Sequence, residues 1–334
     1  MKKLLITGAS GFIGGFIVEE ALKNGYEVYV SLRKTSSRKY LSDPRINVIE
    51  LNLNDSDSLD LQIKELKSKK GNFDYVIHNA GITKAKKNQD YFDINAGITK
   101  RLVDSLINNQ FVSEKFLFVS SLAAAGPGSE DSDEQIAIDQ EPRPVTSYGK
   151  SKLEAERYLQ STSDFPYLIL RPTAVFGPRD TELYTLFSLI AKNFEFYIGT
   201  DKQRLSFIYV KDLVKMLLGA LESKEVGKIY FISDGESYLI RDFVDMIKTS
   251  MAKKTIKVKV PVFIVSAVAF ILEKSLGVFG QIPALNSEKM AELTSQNWTC
   301  DMTPFFKDIS LRPKYDLPSA VAETVEWYKK ENWI

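Results

Sequence analysis

Tyr148 and Lys152 stand four residues apart in the run TSYGKSKL, which spans 146–153. On a helix that interval puts both side chains on one face. A free phenol titrates near pH 10, about three units too high for proton transfer at neutrality. An ammonium beside it stabilises the phenolate and draws the value down, so the tyrosine can give or take a proton. A neighbouring hydroxyl would complete the set by holding a substrate oxygen. Ser121 is the candidate, because it leaves the apolar run Phe116–Val119 at what reads as a strand end. The pair alone is a weak signal, since tyrosine and lysine at this spacing decorate many exposed helices.

The elements that must position these groups begin at residue 1. Leu4–Ile6 is long enough for one buried strand, and Thr7 ends it. Gly8, Gly11 and Gly14 follow at intervals of three, and Phe12, Ile13, Phe16, Ile17, Ala21 and Leu22 then recur with helical period. Strand, glycine turn and helix form the context in which such a motif binds a dinucleotide. Gly8 permits the tight turn, Gly11 lets the backbone approach a pyrophosphate, and Gly14 lets the helix lie close to the sheet. The free N–H groups and positive end of that helix face the phosphates. The cofactor contacts expected here are Gly8, Ser10, Gly11, Phe12, Ile13 and Gly14. A bound nicotinamide would then exchange a hydride with the substrate while Tyr148 handles the proton.

The second strand, Glu27–Leu32, decides which dinucleotide. An acidic residue after it would take a ribose 2′-hydroxyl, whereas arginine suits a 2′-phosphate. No Asp or Glu lies between Val28 and Leu41, and Arg33 follows the strand directly. Guanidinium pairs with phosphate bidentately. NADP is therefore favoured over NAD, with Arg33 as main contact and Ser36, Ser37 or Arg38 as helpers. A solvated basic loop is the plainer alternative.

Strands are expected at Ile46–Leu51, Asp74–His78, Phe116–Val119, Tyr167–Leu170 and Lys228–Ile232, and helices near Asp55–Lys69, Asp90–Asn109 and Leu183–Ala191. Arg204–Val214 returns to a strand and opens another helix. Ser147 can cap the helix that carries Tyr148, Lys152, Ala155 and Leu159. The alternation predicts an α/β, Rossmann-type doubly wound parallel sheet. Ligands of such sheets lie at the carboxyl ends of the strands. That edge collects Asn52 and Leu53, then Asn79, Ala80 and Gly81, and finally Pro172, Ala174 and Val175, all expected to touch cofactor. His78 reads as a packed neutral imidazole rather than an acid or base. Glu130–Glu141 is acidic and reads as a surface excursion.

The 334 residues are ordinary in composition, and 44 basic against 43 acidic residues leave a net charge of +1. No field favours nucleic acid. One cysteine, Cys300, and one histidine, His78, exclude a disulfide framework and argue against a Cys/His metal site. The expected compartment is the reducing cytoplasm. The short apolar run behind Lys2 and Lys3 reads as a strand, not a signal peptide. Val260–Leu272 (VPVFIVSAVAFIL) is the most apolar segment, too short for a membrane span of roughly 20 residues. A core helix or substrate wall is the favoured reading; an interfacial helix flanked by Lys253, Lys254, Lys257 and Lys259 is the other.

Taken together the motifs resemble the extended branch of the short-chain dehydrogenase/reductase superfamily, the epimerase/dehydratase-like enzymes. TGASGFIG (Thr7–Gly14) is similar to the family's cofactor turn, YGKSK (Tyr148–Lys152) to its catalytic Tyr-x-x-x-Lys, and FVSS (Phe118–Ser121) to its serine segment. RPTAVFGPRD (Arg171–Asp180) and FIYVKDLV (Phe207–Val214) match later family segments, in order. The resemblance implies a cofactor-binding domain of residues 1–172 with about 206–233, and a substrate lobe of about 173–205 with 234–334. It implies catalysis by Ser121, Tyr148 and Lys152, with Asn95 supporting Lys152 through water, and a homodimer built on the helices near Asp90–Asn109 and Ser147–Ser161. Four positions depart from the family pattern: Asn52 replaces an aspartate, Ile98 a glycine, Ala174 an asparagine and Leu205 an arginine, with Arg204 adjacent. The last two argue against a nucleotide-sugar substrate. Arg33 and the apolar C-terminal region look more like the dihydroflavonol reductase and 3β-hydroxysteroid dehydrogenase branch. The expected activity is an NADP-dependent interconversion of ketone and secondary alcohol on an apolar small molecule. The alternatives are a nucleotide-sugar epimerase or dehydratase holding NAD tightly, and a non-catalytic NADP-sensing module.

Overall fold

A computed structural model describes residues 1–130, 132–278 and 287–334. Asp131, in the expected excursion, and 279–286, in the expected lobe, lie outside the described residues. The strands are β1 (Lys3–Thr7), β2 (Glu27–Ser31), β3 (Asn47–Ile49), β4 (Phe73–His78), β5 (Val112–Val119), β6 (Tyr167–Pro172), β7 (Ala174–Phe176), β8 (Phe194–Ile198), β9 (Arg204–Leu205), β10 (Phe207–Tyr209), β11 (Lys228–Ile232), β12 (Tyr238–Leu239), β13 (Ile256–Val260) and β14 (Asn297–Trp298). The α-helices are α1 (Phe12–Lys23), α2 (Ser56–Lys70), α3 (Asn88–Tyr91), α4 (Ile98–Asn108), α5 (Ser147–Gln160), α6 (Tyr184–Ala191), α7 (Val210–Glu222), α8 (Ile240–Met251), α9 (Val262–Val278), α10 (Ser287–Thr294), α11 (Thr303–Asp308) and α12 (Leu317–Lys330).

Seven strands form one parallel sheet in the order β3-β2-β1-β4-β5-β6-β11. The strand order reverses between β1 and β4, which opens a crevice at their carboxyl ends. Burial on both faces explains the unbroken apolar run of β1. Leu4 and Ile6 point into one core layer with α1 and α7, while Leu5 points into the other with α2, α4 and α5. Beyond this sheet β7 pairs with β10, β9 joins β12 and β14, and β8 pairs with β13.

Three local expectations need correction, and the surface excursion, largely exposed as expected, gains an anchor. Thr146, not Ser147, caps α5: its backbone is extended and its Oγ1 accepts from the Gly149 N–H at 3.0 Å, while Ser147 is already helical. The long helix expected over 90–109 is interrupted by a π-helical turn, Phe92–Gly97, between α3 and α4. Such widened turns redirect side chains, and this one holds Asn95. The excursion after Glu130 is anchored. Ile136 is 3% exposed, and it bridges Cys300 through Ile136 N–H to Thr299 O (2.9 Å) and Asp301 N–H to Ile136 O (3.0 Å). The apolar segment at 260–272 is not a core helix: α9 leaves Phe263 74% exposed and Ile271 62% exposed.

Candidate active site

The glycine turn is a cradle with no room for side chains. A Cβ on Gly14 would lie 2.0 Å from the Gly8 carbonyl oxygen, so α1 can approach β1 only with glycine there. Gly8 has φ +73°, and a Cβ on it would meet Ala80 N at 2.6 Å and Asn79 O at 2.7 Å. The turn of β1 is thus pressed against the small-residue turn after β4. Two further bonds fix that contact: Asn79 N–H to Thr7 O (3.3 Å) and Ala80 N–H to Thr7 Oγ1 (3.3 Å). Ser10 and Gly11 are exposed, Phe12 and Ile13 half-buried, and no side chain caps the start of α1. An uncapped helix N-terminus behind an exposed glycine turn, opening at the strand-order reversal, fits a dinucleotide pyrophosphate.

The flanking positions divide into two groups. Arg33 is exposed just past β2, its N–H bonded to Ser36 Oγ at 3.1 Å, and it makes no ion pair among the described residues. Asn52 turns its amide oxygen to the Asn54 N–H (3.4 Å), and the Leu53 carbonyl accepts from Arg101 Nε (2.8 Å). Pro172 ends β6 in the core, whereas Ala174 and Val175 are half-buried on β7. His78 lies within the sheet with no exposure, between Thr7 Oγ1 (2.7 Å) and Thr99 Oγ1 (3.0 Å). Burial, then the charge of Lys152, holds its pKa down at about 3, so it is a neutral packing residue.

Ser121 leaves β5 with extended backbone and is only partly buried. Its oxygen accepts from the Ala123 N–H at 3.1 Å, which fixes the side chain and leaves its proton to donate. That hydroxyl acts on the Tyr148 phenol, where it favours the ionised form. Tyr148 sits on the first turn of α5, edge-on to Tyr91 with 6.3 Å between ring centroids. Burial raises the phenol's pKa above 10, Ser121 pulls it down, and the charges of Glu292 and Glu182 push it up again.

Lys152 is one turn further on and 4% exposed. Its Nζ donates to Val119 O at 2.9 Å and lies 4.7 Å from the Phe118 ring centroid. Burial lowers its pKa from 10.5 to about 8, against the opposing charge of Glu156. Ser121 is thus a group that lowers the phenol's pKa, while the Lys152 ammonium donates to the strand carbonyl. Glu156 is itself clamped: Arg171 binds it at 2.6 and 3.0 Å, and Ser120 donates to it.

Asn95 is held by the loop after β4 and by α5. Its amide closes on Ile82, accepting from N–H at 2.8 Å and donating to O at 3.1 Å, and it donates to Ser151 Oγ at 3.0 Å. Its oxygen and Lys152 Nζ both face Gly81, where a Cβ would stand 2.9 and 3.4 Å from them. Asn95 thereby ties the loop after β4 to α5.

The sequence reading missed a polar group around the phenol. Thr83 donates to Glu182 (2.6 Å), and Lys289 pairs with Glu292 (2.8 Å). These residues come from loops and from α10, and no motif in the chain marks them. The arrangement supports proton transfer at the Tyr148 oxygen, with the substrate oxygen held by Ser121 beside a dinucleotide cradle.

Comparison with known proteins agrees. The chain belongs to the NAD dependent epimerase/dehydratase family, whose model matches residues 4–233. It is 29% identical over 254 residues to a sterol-4-alpha-carboxylate 3-dehydrogenase, decarboxylating, of Dictyostelium discoideum, covering 73% of this chain and 74% of that one. It is 25% identical over 337 residues to a ceramide reductase of Caulobacter vibrioides, covering 98% and 95%. A UDP-glucuronic acid 4-epimerase from Bacillus cereus, solved in complex with NAD, shares the fold with a TM-score of 0.77 at 20% identity, over 98% of this chain and 99% of that one. The chain is an NAD(P)-dependent oxidoreductase of the extended short-chain dehydrogenase/reductase type.

Proposed function

We propose that this enzyme uses NADP to interconvert a ketone and a secondary alcohol on a largely apolar, lipid- or sterol-like molecule. The observation that carries the reading is the grouping of Ser121 at the end of β5 with Tyr148 and Lys152 on the start of α5, beside the glycine cradle. Gly8, Ser10, Gly11, Phe12, Ile13 and Gly14 would hold the pyrophosphate, Asn52 and Leu53 the adenine side, and Asn79–Gly81 with Pro172, Ala174 and Val175 the nicotinamide side. When bound, the cofactor supplies or takes up the hydride. Tyr148 gives the substrate oxygen its proton in the reducing direction, Ser121 holds that oxygen, and Lys152 provides the positive charge behind the phenol.

Support for NADP is the exposed Arg33 guanidinium, which makes no ion pair among the described residues, and the absence of a carboxylate from 28–41. Support for an apolar substrate is Ala174 and Leu205 in place of polar contacts, together with the names of the sterol and ceramide relatives. Residues 1–172 with about 206–233 would form the cofactor half, and about 173–205 with 234–334 the substrate half. The test is NADPH and NADH oxidation over a ketone panel that includes long-chain and sterol-like members. The expected result is turnover of an apolar ketone with NADPH preferred; no oxidation of either cofactor across the panel contradicts it.

One observation favours a second reading, a nucleotide-sugar epimerase or dehydratase. The Nε of Arg204 is buried without a partner among the described residues while its Nη1 pairs with Asp133 at 2.7 Å, so a guanidinium of the lobe has capacity left for an anion. Protein that purifies with NAD already bound and gains thermal stability with UDP-sugars supports this second reading over the first.

A further inference from the structure

The outer side of α9 has no counterpart in the reaction. Of the side chains described on it, only Val265 and Ala269 are buried, against Met290 of α10 and against Ile198 and Val260. Val262, Phe263, Ile264, Val268, Phe270 and Ile271 are 40%, 74%, 43%, 44%, 59% and 62% exposed. Phe263 and Phe270, seven apart, project from the side opposite the buried pair.

The apolar area continues past the helix. In the β8–β13 pair, Phe194, Phe196 and Ile198 stand in register with Ile256, Val258 and Val260, which puts all six on one face. Helix α9 covers only the Ile198–Val260 end. Phe194, Phe196 and Ile256 stay 40%, 41% and 62% exposed. One apolar platform therefore spans a helix and a sheet face.

Its border is basic. Residues 251–272 contain Lys253, Lys254, Lys257 and Lys259 and no Asp or Glu. Lys257 and Lys259 alternate with the apolar residues of β13 and so lie on its other face, where both bond Asp201 (2.6 and 3.0 Å); Lys253 and Lys254, just before β13, are the basic groups at the platform's edge. No helix among the described residues is long and apolar enough to cross a membrane. A second copy of the chain is the poorer occupant, because a two-fold contact would set this lysine border against its own image. Anionic lipid complements both the charge and the apolar surface.

We propose that the platform formed by α9 and the β8–β13 face docks peripherally on an anionic lipid surface. Phe263, Phe270 and Ile271 enter the interface, and Lys253 and Lys254 meet headgroups. Helix α10 links the platform to the cleft: it offers Met290 to α9 and Glu292 to the field at Tyr148. Docking does not depend on which substrate the cleft accepts.

The test is flotation of the full chain with vesicles of phosphatidylcholine alone and of phosphatidylcholine with phosphatidylserine, at low and high salt. The chain is expected to float with the phosphatidylserine vesicles, less so at high salt. A Phe263→Ser/Phe270→Ser variant should keep its melting temperature and lose about a hundredfold in affinity, since two exposed phenyl groups no longer leave water. Failure to float with either vesicle overturns the proposal, as does equal flotation of the variant. A platform-dependent dimer in light scattering without vesicle binding also overturns it, in favour of self-association.

Discussion

Helices α1 and α9 are both built mainly from apolar residues, and they end in opposite surroundings. Helix α1 buries Gly14, Gly15, Phe16, Ile17, Val18, Ala21 and Leu22 between the sheet and α7. Helix α9, from the most apolar segment of the chain, buries two of its described side chains and leaves six large ones in solvent. Hydropathy alone ranks them the wrong way round. The difference lies in what each helix has beneath it. A glycine turn lowers α1 onto a seven-stranded sheet, whereas α9, among the described residues, meets the end of a two-stranded pair and the short α10. Burial follows from available neighbours, and an apolar helix without them is a surface awaiting a partner.

The comparison predicts its largest contrast in stability. Phe16→Ala should cost about 3–5 kcal/mol, because a closed core cannot fill the space. Phe263→Ala should change stability by less than about 0.5 kcal/mol. Chemical denaturation of both variants checks this. A large loss at Phe263 would show that α9 is covered by protein in solution.

Helix α5 sharpens the contrast from the opposite side, because it buries a charge. The fall in the Lys152 pKa from 10.5 to about 8 is a penalty of about 3 kcal/mol on the charged form, reduced in a variant by the lost bond to Val119. Lys152→Met should therefore stabilise the fold by about 1–2 kcal/mol at pH 7 while losing activity. The folded pKa lies below the unfolded one. The variant's advantage is thus complete below about pH 8 and fades as pH rises towards 10.5. Melting curves from pH 6 to about 10 test the sign; an advantage that grows with pH contradicts the assignment.

A smaller effect belongs to the cofactor edge. Arg33→Ala should raise KM for NADPH about tenfold and leave that for NADH unchanged, as expected for one exposed charge-assisted contact. Equal losses with both cofactors would make Arg33 a folding residue of the loop rather than a phosphate contact.

How much was legible follows the same division. The parallel sheet and the places of Gly8, Gly14, Ser121, Tyr148 and Lys152 on its elements could be read because each rests on local spacing or a steric requirement; the strand order could not. The cap at Thr146 was missed by one residue, since Ser147 satisfies the same chemistry. The π-helical turn at Phe92–Gly97 carries no periodic signature; Asn95 holds it through contacts with Ile82 and Ser151 that sequence distance hides. Helix α12 did announce itself, with Asp316 capping and Pro318 in its first turn, and went unread. Glu182, Lys289 and Glu292 could not be placed near Tyr148, because loops and the distant α10 bring them there. The exposure of α9 depends on which elements fail to cover it, and no local pattern encodes that.

The central claim is that the Tyr148 hydroxyl, grouped with Ser121, moves the proton. Tyr148→Phe tests it directly, measured as NADPH oxidation with the best ketone alongside NADPH binding by fluorescence. Turnover is predicted to fall about a thousandfold, with cofactor affinity and melting temperature unchanged. Turnover within a few-fold of the native enzyme would contradict the account.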